Sequence, residues 1–304
     1  MLFPRFNLFH FFSTSNIKEF LMRRTITACS FLATILLTIP TLGATLNFLD
    51  TFPAGGGVGG WDGGGSQSNP NAGGVGGATD GYLKIARTSS GHLGMRNSTS
   101  AYAGDWSAAG ITMITFLAND VGAAQALELH ASIVGTDGTM WQNNIGIKPL
   151  NNTWKQYSID LTNPALWTST QPGASFANTL ANVDRLHFRH DVAPYTSETG
   201  SIIGDVGFDN IQLIHHIPGD ITHDGAVDVS DLGVLGANYG TASAAYWETG
   251  DLTGDRKVDV GDLGVLGSHY GQTSSGAAIT APAVPEPATI SLLALGLLGL
   301  RRRR

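Results

Sequence analysis

Two stretches of this 304-residue chain are near copies of one another, 31 positions apart. The first reads GDITHDGAVDVSDLGVLGANYG over 219–240, the second GDLTGDRKVDVGDLGVLGSHYG over 250–271. In each copy Asp recurs at loop positions 1, 5, 9 and 12. These are Asp220, Asp224, Asp228 and Asp231, then Asp251, Asp255, Asp259 and Asp262. Thr222 and Thr253 stand at position 3, and Ala226 and Lys257 offer backbone carbonyls at position 7. Oxygen donors at this spacing wrap one hard cation, as in an EF-hand loop. The segment 219–271 holds nine acids and two bases, a balance of −7. A solvated acidic loop has no need of this order, or of its repetition. Each copy is therefore expected to close round a calcium ion.

A short helix is predicted to leave each loop. Leu232, Leu235 and Tyr239, like Leu263, Leu266 and Tyr270, fall at i, i+3 and i+7 on one helix face. Gly240 and Gly271 are natural stops. A duplicated loop–helix with Asp at position 12 resembles a type I dockerin, and the resemblance covers the whole of 219–271. It implies two Ca²⁺ ions on the residues just named, folding coupled to metal, and a cohesin-like protein domain as partner. The chain departs from the family in three places. Thr222 and Thr253 stand where Asn is common. Position 6, a sharp turn that favours Gly, is Gly225 in the first copy but Arg256 in the second. That difference predicts tighter calcium binding at the first loop. Val229-Ser230 and Val260-Gly261 replace the family's Ser-Thr pair, which helps to choose the cohesin.

Charge separates the ends from the body. Residues 1–44 carry +3 and Arg301 to Arg304 carry +4, so 45–300 carry −14 within a formal net charge of −7. Such a body does not suit nucleic acid, whose binding needs a basic patch. In 22–44, Arg23 and Arg24 precede an apolar run, Ser30 to Ile39, and the small residues up to Ala44. This is the layout of a secretory signal peptide that starts at Met22, within an N-terminal segment 1–44. Cys29 is the single cysteine, so neither an intramolecular disulfide nor a thiolate zinc site is available.

The other end begins with a small, polar linker, 272–283. Over 284–304 come Pro285, Glu286 and Pro287, the apolar run Ala288 to Leu300, and the four arginines. Positive charge after an apolar helix holds that end in the cytoplasm. The three parts in this order resemble a PEP-CTERM sorting signal. The resemblance implies export, transient inner-membrane anchoring by the C-terminal apolar helix, and cleavage by an exosortase. The destination is the cell surface or the extracellular space.

Residues 45–218 show no long helical period. Short β-rich runs recur instead: 46–49, 82–87, 111–117, 127–134, 144–148, 154–161, 183–190 and 206–214. Leu127, Leu129, Ala131 and Ile133 alternate with polar partners, as in a strand with one wet face. Asn119-Asp120, Gly135 to Gly138 and Asn151-Asn152 are turn signals. The expected fold class is mainly β, an antiparallel sandwich, followed by the small α-helical calcium-loop domain. Residues 55–77 contain 12 Gly in 23 positions and are expected to form a long mobile loop. The opening Asn47-Phe48-Leu49-Asp50 and the closing run Gly207 to Leu213 resemble carbohydrate-binding, galactose-binding-like jelly rolls. That resemblance implies a third calcium on Asp209, with Asp50 as a second ligand, and a polysaccharide as partner.

A sugar site needs a flat aromatic face with polar neighbours. Trp141 is the leading candidate, because Gln142, Asn143 and Asn144 follow it. Catalysis has thinner support. Residues 45–218 hold only Glu128 and Glu198 as glutamates, and ordinary glycoside hydrolysis needs a carboxyl pair. No nucleophile elbow, zincin helix or P-loop motif occurs. The cluster Arg185, His187, Arg189, His190 and Asp191 reads as a site for a polyanion or for catalysis, and a catalytic centre would draw on Glu128, His187 and Arg189. Two readings follow. One is an exported, non-catalytic surface or matrix protein that binds polysaccharide and docks a partner. The other is a secreted polysaccharide-degrading enzyme, a hydrolase or lyase, carrying a dockerin.

Overall fold

The computed structural model describes residues 43–122, 126–197 and 200–274. The expected signal peptide, the C-terminal apolar helix, the Pro285-Glu286-Pro287 motif and Glu198 lie outside the described residues. Among those described, no helix is long and apolar enough to cross a membrane.

Among the described residues, eleven strands build two antiparallel sheets. The first contains β1 (Leu49–Asp50), β2 (Ser66–Ser68), β3 (Leu83–His92), β5 (Met113–Asn119), β8 (Lys155–Asp160) and β11 (Ser201–Ile214). Its order is β2-β3-β11-β5-β8, with β1 also paired to β11. The second has the order β4-β10-β6-β7-β9, from β4 (Gly94–Asn97), β6 (Leu129–Gly135), β7 (Met140–Asn143), β9 (Trp167–Gln171) and β10 (Val183–His190). The chain passes repeatedly from one sheet to the other, so the two faces pack as a jelly-roll sandwich. Short helices α1 (Trp106–Ala109) and α2 (Phe176–Leu180) pack against one another, and α2 lies against β6.

The alternation read in the sequence places the core. Leu129, Ala131 and Ile133 point inward from β6, and Leu186 and Phe188 from β10. Phe116, Phe188 and Phe208 meet at its centre, with ring centroids 4.7 Å apart for the first two and 5.1 Å for the last two. The expected strand at 144–148 does not form. Asn143 Oδ1 accepts the Ile145 amide and turns the backbone there, leaving only a Leu129–Ile147 bridge. Strands β2, β4, β7 and β9 lack a hydrophobic run long enough to announce them.

The Gly-rich segment is not a free loop. It carries Trp61 into the core, where 2% of its surface remains exposed, and lays β2 along β3. Asn69 Nδ2 donates to the carbonyls of Phe52 and Pro53. Gly64, at φ 65°, passes so close to β4 that a Cβ would sit 2.7 Å from the Gly94 carbonyl oxygen. Glycine here permits tight left-handed turns and close backbone approach, which composition alone reads as disorder.

The duplicated segment forms a second, smaller core of Ile217, Ile221, Val227, Leu235, Trp247, Val258 and Leu266, and Met113 of β5 joins it. Helices α3 (Val229–Asn238) and α4 (Val260–His269) start on matching capping boxes. Asp228 caps the first against Asp231, and Asp259 caps the second against Asp262. The expected single apolar face divides. Leu235 and Leu266 are buried, whereas Tyr239 and Tyr270 stand one residue past the helix ends and are 54% exposed. Gly240 and Gly271 then turn the chain at φ 89° and 85°. Each copy closes the other. Gly240 N donates to Val258 O and Val258 N to Thr241 O. In the mirror arrangement, Gly271 N donates to Val227 O and Val227 N to Gln272 O.

Candidate functional site

One rung on the outward face of the second sheet is polar across all five strands, while Val134 pairs with Met140 on the next. Register aligns Arg96 of β4 with His187 of β10, His187 with Ser132 of β6, Ser132 with Gln142 of β7, and Gln142 with Thr168 of β9. Neighbouring strands lie about 4.8 Å apart, so this is one continuous polar rung. Every residue of β6 is buried, because its outward side is covered too.

The cover is the segment after β10, held by Arg189. Its Nη2 donates to the Thr196 carbonyl at 2.7 Å and its Nη1 to that of Ser197 at 3.2 Å. Arg189 Nε donates to Gln142 Oε1 at 2.5 Å, and Asp191 Oδ2 accepts from both Gln142 Nε2 (3.0 Å) and Arg189 Nη2 (3.2 Å). Tyr195 packs on His130 with ring centroids 4.7 Å apart. Ser132 and Gln142 are thereby fully enclosed, and the rung opens only at its ends. At the β4 end lies a groove of about 200 Å³ lined by Asp62, Gly63, Gly64, Arg96, His187 and Arg189.

Glu128 and His130 do share a side, as the strand alternation requires. Glu128 Oε1 lies 3.4 Å from His130 Nε2, and its other oxygen lies 3.3 Å from Lys148 Nζ. His130 Nδ1 is 2.7 Å from the Asn143 carbonyl. Burial holds the His130 imidazole below its usual range, against the pull of Asn143 and Glu128. His187 lies two residues from Arg189 on β10, opposite Ser132, so Glu128, His187 and Arg189 do not converge on one point. Burial, then Arg185, Arg96 and Arg189, push the His187 imidazole down to about 3.

Trp141 does not join this face. It pairs with inward-facing Ile133, stacks edge-on against Phe176 at 5.6 Å, and donates its indole N–H to the Ala174 carbonyl. Period-2 alternation puts Gln142 on the polar face and Trp141 on the other. Asp50 and Asp209 come near one another because β1 runs beside β11. Asp50 Oδ2 accepts from Trp61 Nε1 (2.7 Å) and Tyr102 OH (3.1 Å), and Asp209 accepts the Val75 and Asn210 amides. Burial raises both carboxyls, and Asp209 raises Asp50 further. Their lone pairs thus face N–H and O–H donors.

In the twin loops, Asp220 accepts the Asp224 and Gly225 amides, and Asp251 accepts those of Gly254, Asp255 and Arg256. Both position-12 carboxylates turn back onto their own loop. Asp231 accepts from Ile221 and Thr222, and Asp262 from Leu252 and Thr253. Among the described residues, no three His, Cys, Asp or Glu side chains close round a common point. The donor set still fits a hard cation in kind. All the donors are oxygens, and position 6 takes the left-handed turn in both copies, Gly225 at φ 87° and Arg256 at φ 71°. Burial first, with crowding by Asp231 and Asp224, raises Asp220 to about 6. Burial, with Asp262 and Asp255, does the same to Asp251. A cation would relieve that crowding.

Sequence reasoning named His187 and Gln142 separately and missed the rung that joins them. Its residues come from five separate strands, and only register aligns them.

Residues 283–304 match the PEP-CTERM protein-sorting motif. The motif marks an exported protein that is sorted through an exosortase. No curated protein matches the chain in sequence. Among solved structures, the family 11 carbohydrate-binding module from Clostridium thermocellum was solved with a β-1,3-1,4-mixed-linked tetrasaccharide. Its overlap covers 56% of this chain and 97% of its own, at 20% identity and a TM-score of 0.37. A family 22 xylan-binding domain from Paenibacillus barcinonensis overlaps 56% of this chain and 96% of its own, at 13% identity and a TM-score of 0.34. An exo-β-agarase overlaps 62% of this chain and 27% of its own, at 15% identity and a TM-score of 0.41. All three scores lie below 0.5, so the sandwich stands on its own strand order and the site on its own residues.

Proposed function

We propose that this exported chain is a non-catalytic polysaccharide-binding protein of the cell surface or extracellular matrix, and that its duplicated loops attach it to a second protein. The observation that carries the glycan reading is the polar rung Arg96–His187–Ser132–Gln142–Thr168, with its groove at the β4 end. Sugar hydroxyls both donate and accept, and a rung of amide, hydroxyl, imidazole and guanidinium groups answers both needs. Arg189 and Asp191 fix the covered centre so that the open end is pre-formed, which lowers the cost of ordering on binding. Glu128 is held between His130 and Lys148 and serves to support this network.

Calcium belongs to the second half of the proposal. Asp220, Thr222, Asp224, the Ala226 carbonyl, Asp228 and Asp231 would hold one ion. Asp251, Thr253, Asp255, the Lys257 carbonyl, Asp259 and Asp262 would hold the other. The ions supply charge neutralisation and loop rigidity, not chemistry. The partner is a cohesin-like domain. The supporting surface is the matched exposed set Val229, Leu232 and Tyr239 on one copy and Val260, Leu263 and Tyr270 on the other.

A glycan array on the mature chain, repeated with His187→Gln, tests the first half. Binding that falls with the substitution supports the face. Binding unaffected by it, or accompanied by new reducing ends, refutes the reading. Pull-down of a cohesin-like domain with and without chelator tests the second half, and capture that ignores chelation refutes it.

A further inference from the structure

We infer, on the reading that this face holds glycans, that its groove selects acidic polysaccharides, those bearing carboxylate or sulfate groups.

The basis is how the guanidinium groups are placed around His187. Arg185 Nε donates to His187 Nε2 at 3.0 Å, so that nitrogen is an acceptor and the ring is uncharged. Arg96 stands opposite His187 across the rung, and Arg189 follows two residues on along the same strand. Three cations thus surround a neutral ring. Their field reinforces burial in keeping the proton off it, and Asp62 is the one acid that works the other way.

The accompanying acids do not cancel this field at the groove. Asp184 bonds Arg185 through Nη1, on the residue next to it. Asp191 sits at the enclosed end, on Arg189 and Gln142. Asp62 reaches the groove and bonds Arg96 through Nε at 2.7 Å. Both side chains are open to solvent, Asp62 at 68% and Arg96 at 51% exposure, where such a pair holds weakly. The terminal amino groups of Arg96 stand outside that bond, and their fork matches a carboxylate or sulfate. Gly63, Gly64 and Gly94 form part of the wall, alongside His92, Leu93, Met95 and Phe188.

The positive field is also confined. Residues 45–300 carry −14, so the surrounding body repels a polyanion that needs many contacts along its length. A short run of charged sugar units meets the groove alone, whereas a nucleic acid meets the acidic body as well.

The test uses the whole mature chain and three oligosaccharides of equal length: an oligogalacturonate, a sulfated galactan and a neutral mixed-linkage glucan. A single-stranded oligonucleotide is added as a fourth probe. The expected result is at least tenfold tighter binding of one or both acidic glycans than of the neutral one, weakening as salt rises. Arg96→Gln should lower acidic-glycan affinity about tenfold, the scale of one charge-assisted contact, and neutral-glycan affinity by a clearly smaller factor, whereas Arg185→Gln, outside the groove lining, should weaken acidic glycans alone and by less. Arg96→Lys should recover part of the loss. The two acidic probes separate carboxylate from sulfate as the recognised group. Equal binding of neutral and acidic glycans, lost with His187→Gln but not with Arg96→Gln, overturns the selection and leaves the glycan face standing. Binding of none of the glycans overturns both. Preference for the oligonucleotide overturns the inference in favour of a nucleic-acid surface. Circular dichroism on each variant separates loss of binding from loss of fold.

Discussion

Arg256 Nη1 lies 2.6 Å from the carbonyl oxygen of Gly146, a residue 110 positions earlier in the chain. The same guanidinium rests on the Tyr246 ring, 4.6 Å from its centroid. The residue that breaks the expected glycine of the second loop therefore has a task of its own. It ties that loop to the sandwich and holds a left-handed backbone, φ 71°, that costs an L-residue about 1 kcal/mol or more. Arg256→Ala keeps the backbone cost and loses both contacts. It should destabilise the folded chain by about 1–3 kcal/mol in urea unfolding. Arg256→Gly relieves the backbone and should cost less. An alanine variant as stable as the parent would show that the contact carries no weight.

The same residue bears on metal. Glycine at the sharp turn of the first loop and arginine at that of the second predict two unequal calcium affinities, the first loop being tighter. Isothermal titration of the metal-free chain should resolve two steps, and Asp220→Ala should remove the tighter one. Two identical sites would count against the reading. Loss of helical circular dichroism on chelation is the companion expectation.

Trp61 makes the order of the Gly-rich segment testable. Its indole N–H reaches buried Asp50, and its ring packs on Tyr102 with centroids 5.0 Å apart. Trp61→Ala should cost about 3–5 kcal/mol and open residues 55–77 to limited proteolysis. Trp61→Phe keeps the packing and loses only the bond to Asp50, for about 1–3 kcal/mol. Equal cleavage of parent and Trp61→Ala would mean that the segment is already open.

Two histidines predict acid sensitivity. His187 is held down to about 3 by burial and its arginines, and His216 to about 3 by burial and nearby histidines. A depressed histidine binds its proton more readily once unfolded. Its contribution to stability is therefore full above the ordinary value of 6.5 and is lost as the pH falls from there toward 3. His187→Gln should flatten the melting temperature over that window. An unchanged slope would assign the acid sensitivity elsewhere.

Much of the fold was legible because it rests on local rules. Alternation in 127–134 identified the inward residues of β6, the repeated aspartates marked two loops, and the Leu-Leu-Tyr spacing marked the helices that leave them. Asp228 and Asp259 also cap those helices, a role that the metal reading of position 9 obscured. What the sequence hid is long-range. The register that aligns Arg96 with His187 and the reach of Arg256 to Gly146 both depend on how distant segments meet. Trp61 was hidden for another reason, since glycine-rich composition describes an unfolded chain and a tightly turned one in the same letters.

The cross-closure of the two loops sets a limit on trimming the chain. Val227 donates to Gln272, Thr273 bridges Ala226, and Ser274 donates to the Gly225 carbonyl at 2.7 Å. The residues just ahead of the sorting tail are thus the last stave of the first loop, although they lie some fifty positions from where it begins. Removal of the tail beyond Ser274 leaves that loop fastened. A cut upstream of Gln272 would unfasten the far repeat while leaving the near one covalently whole.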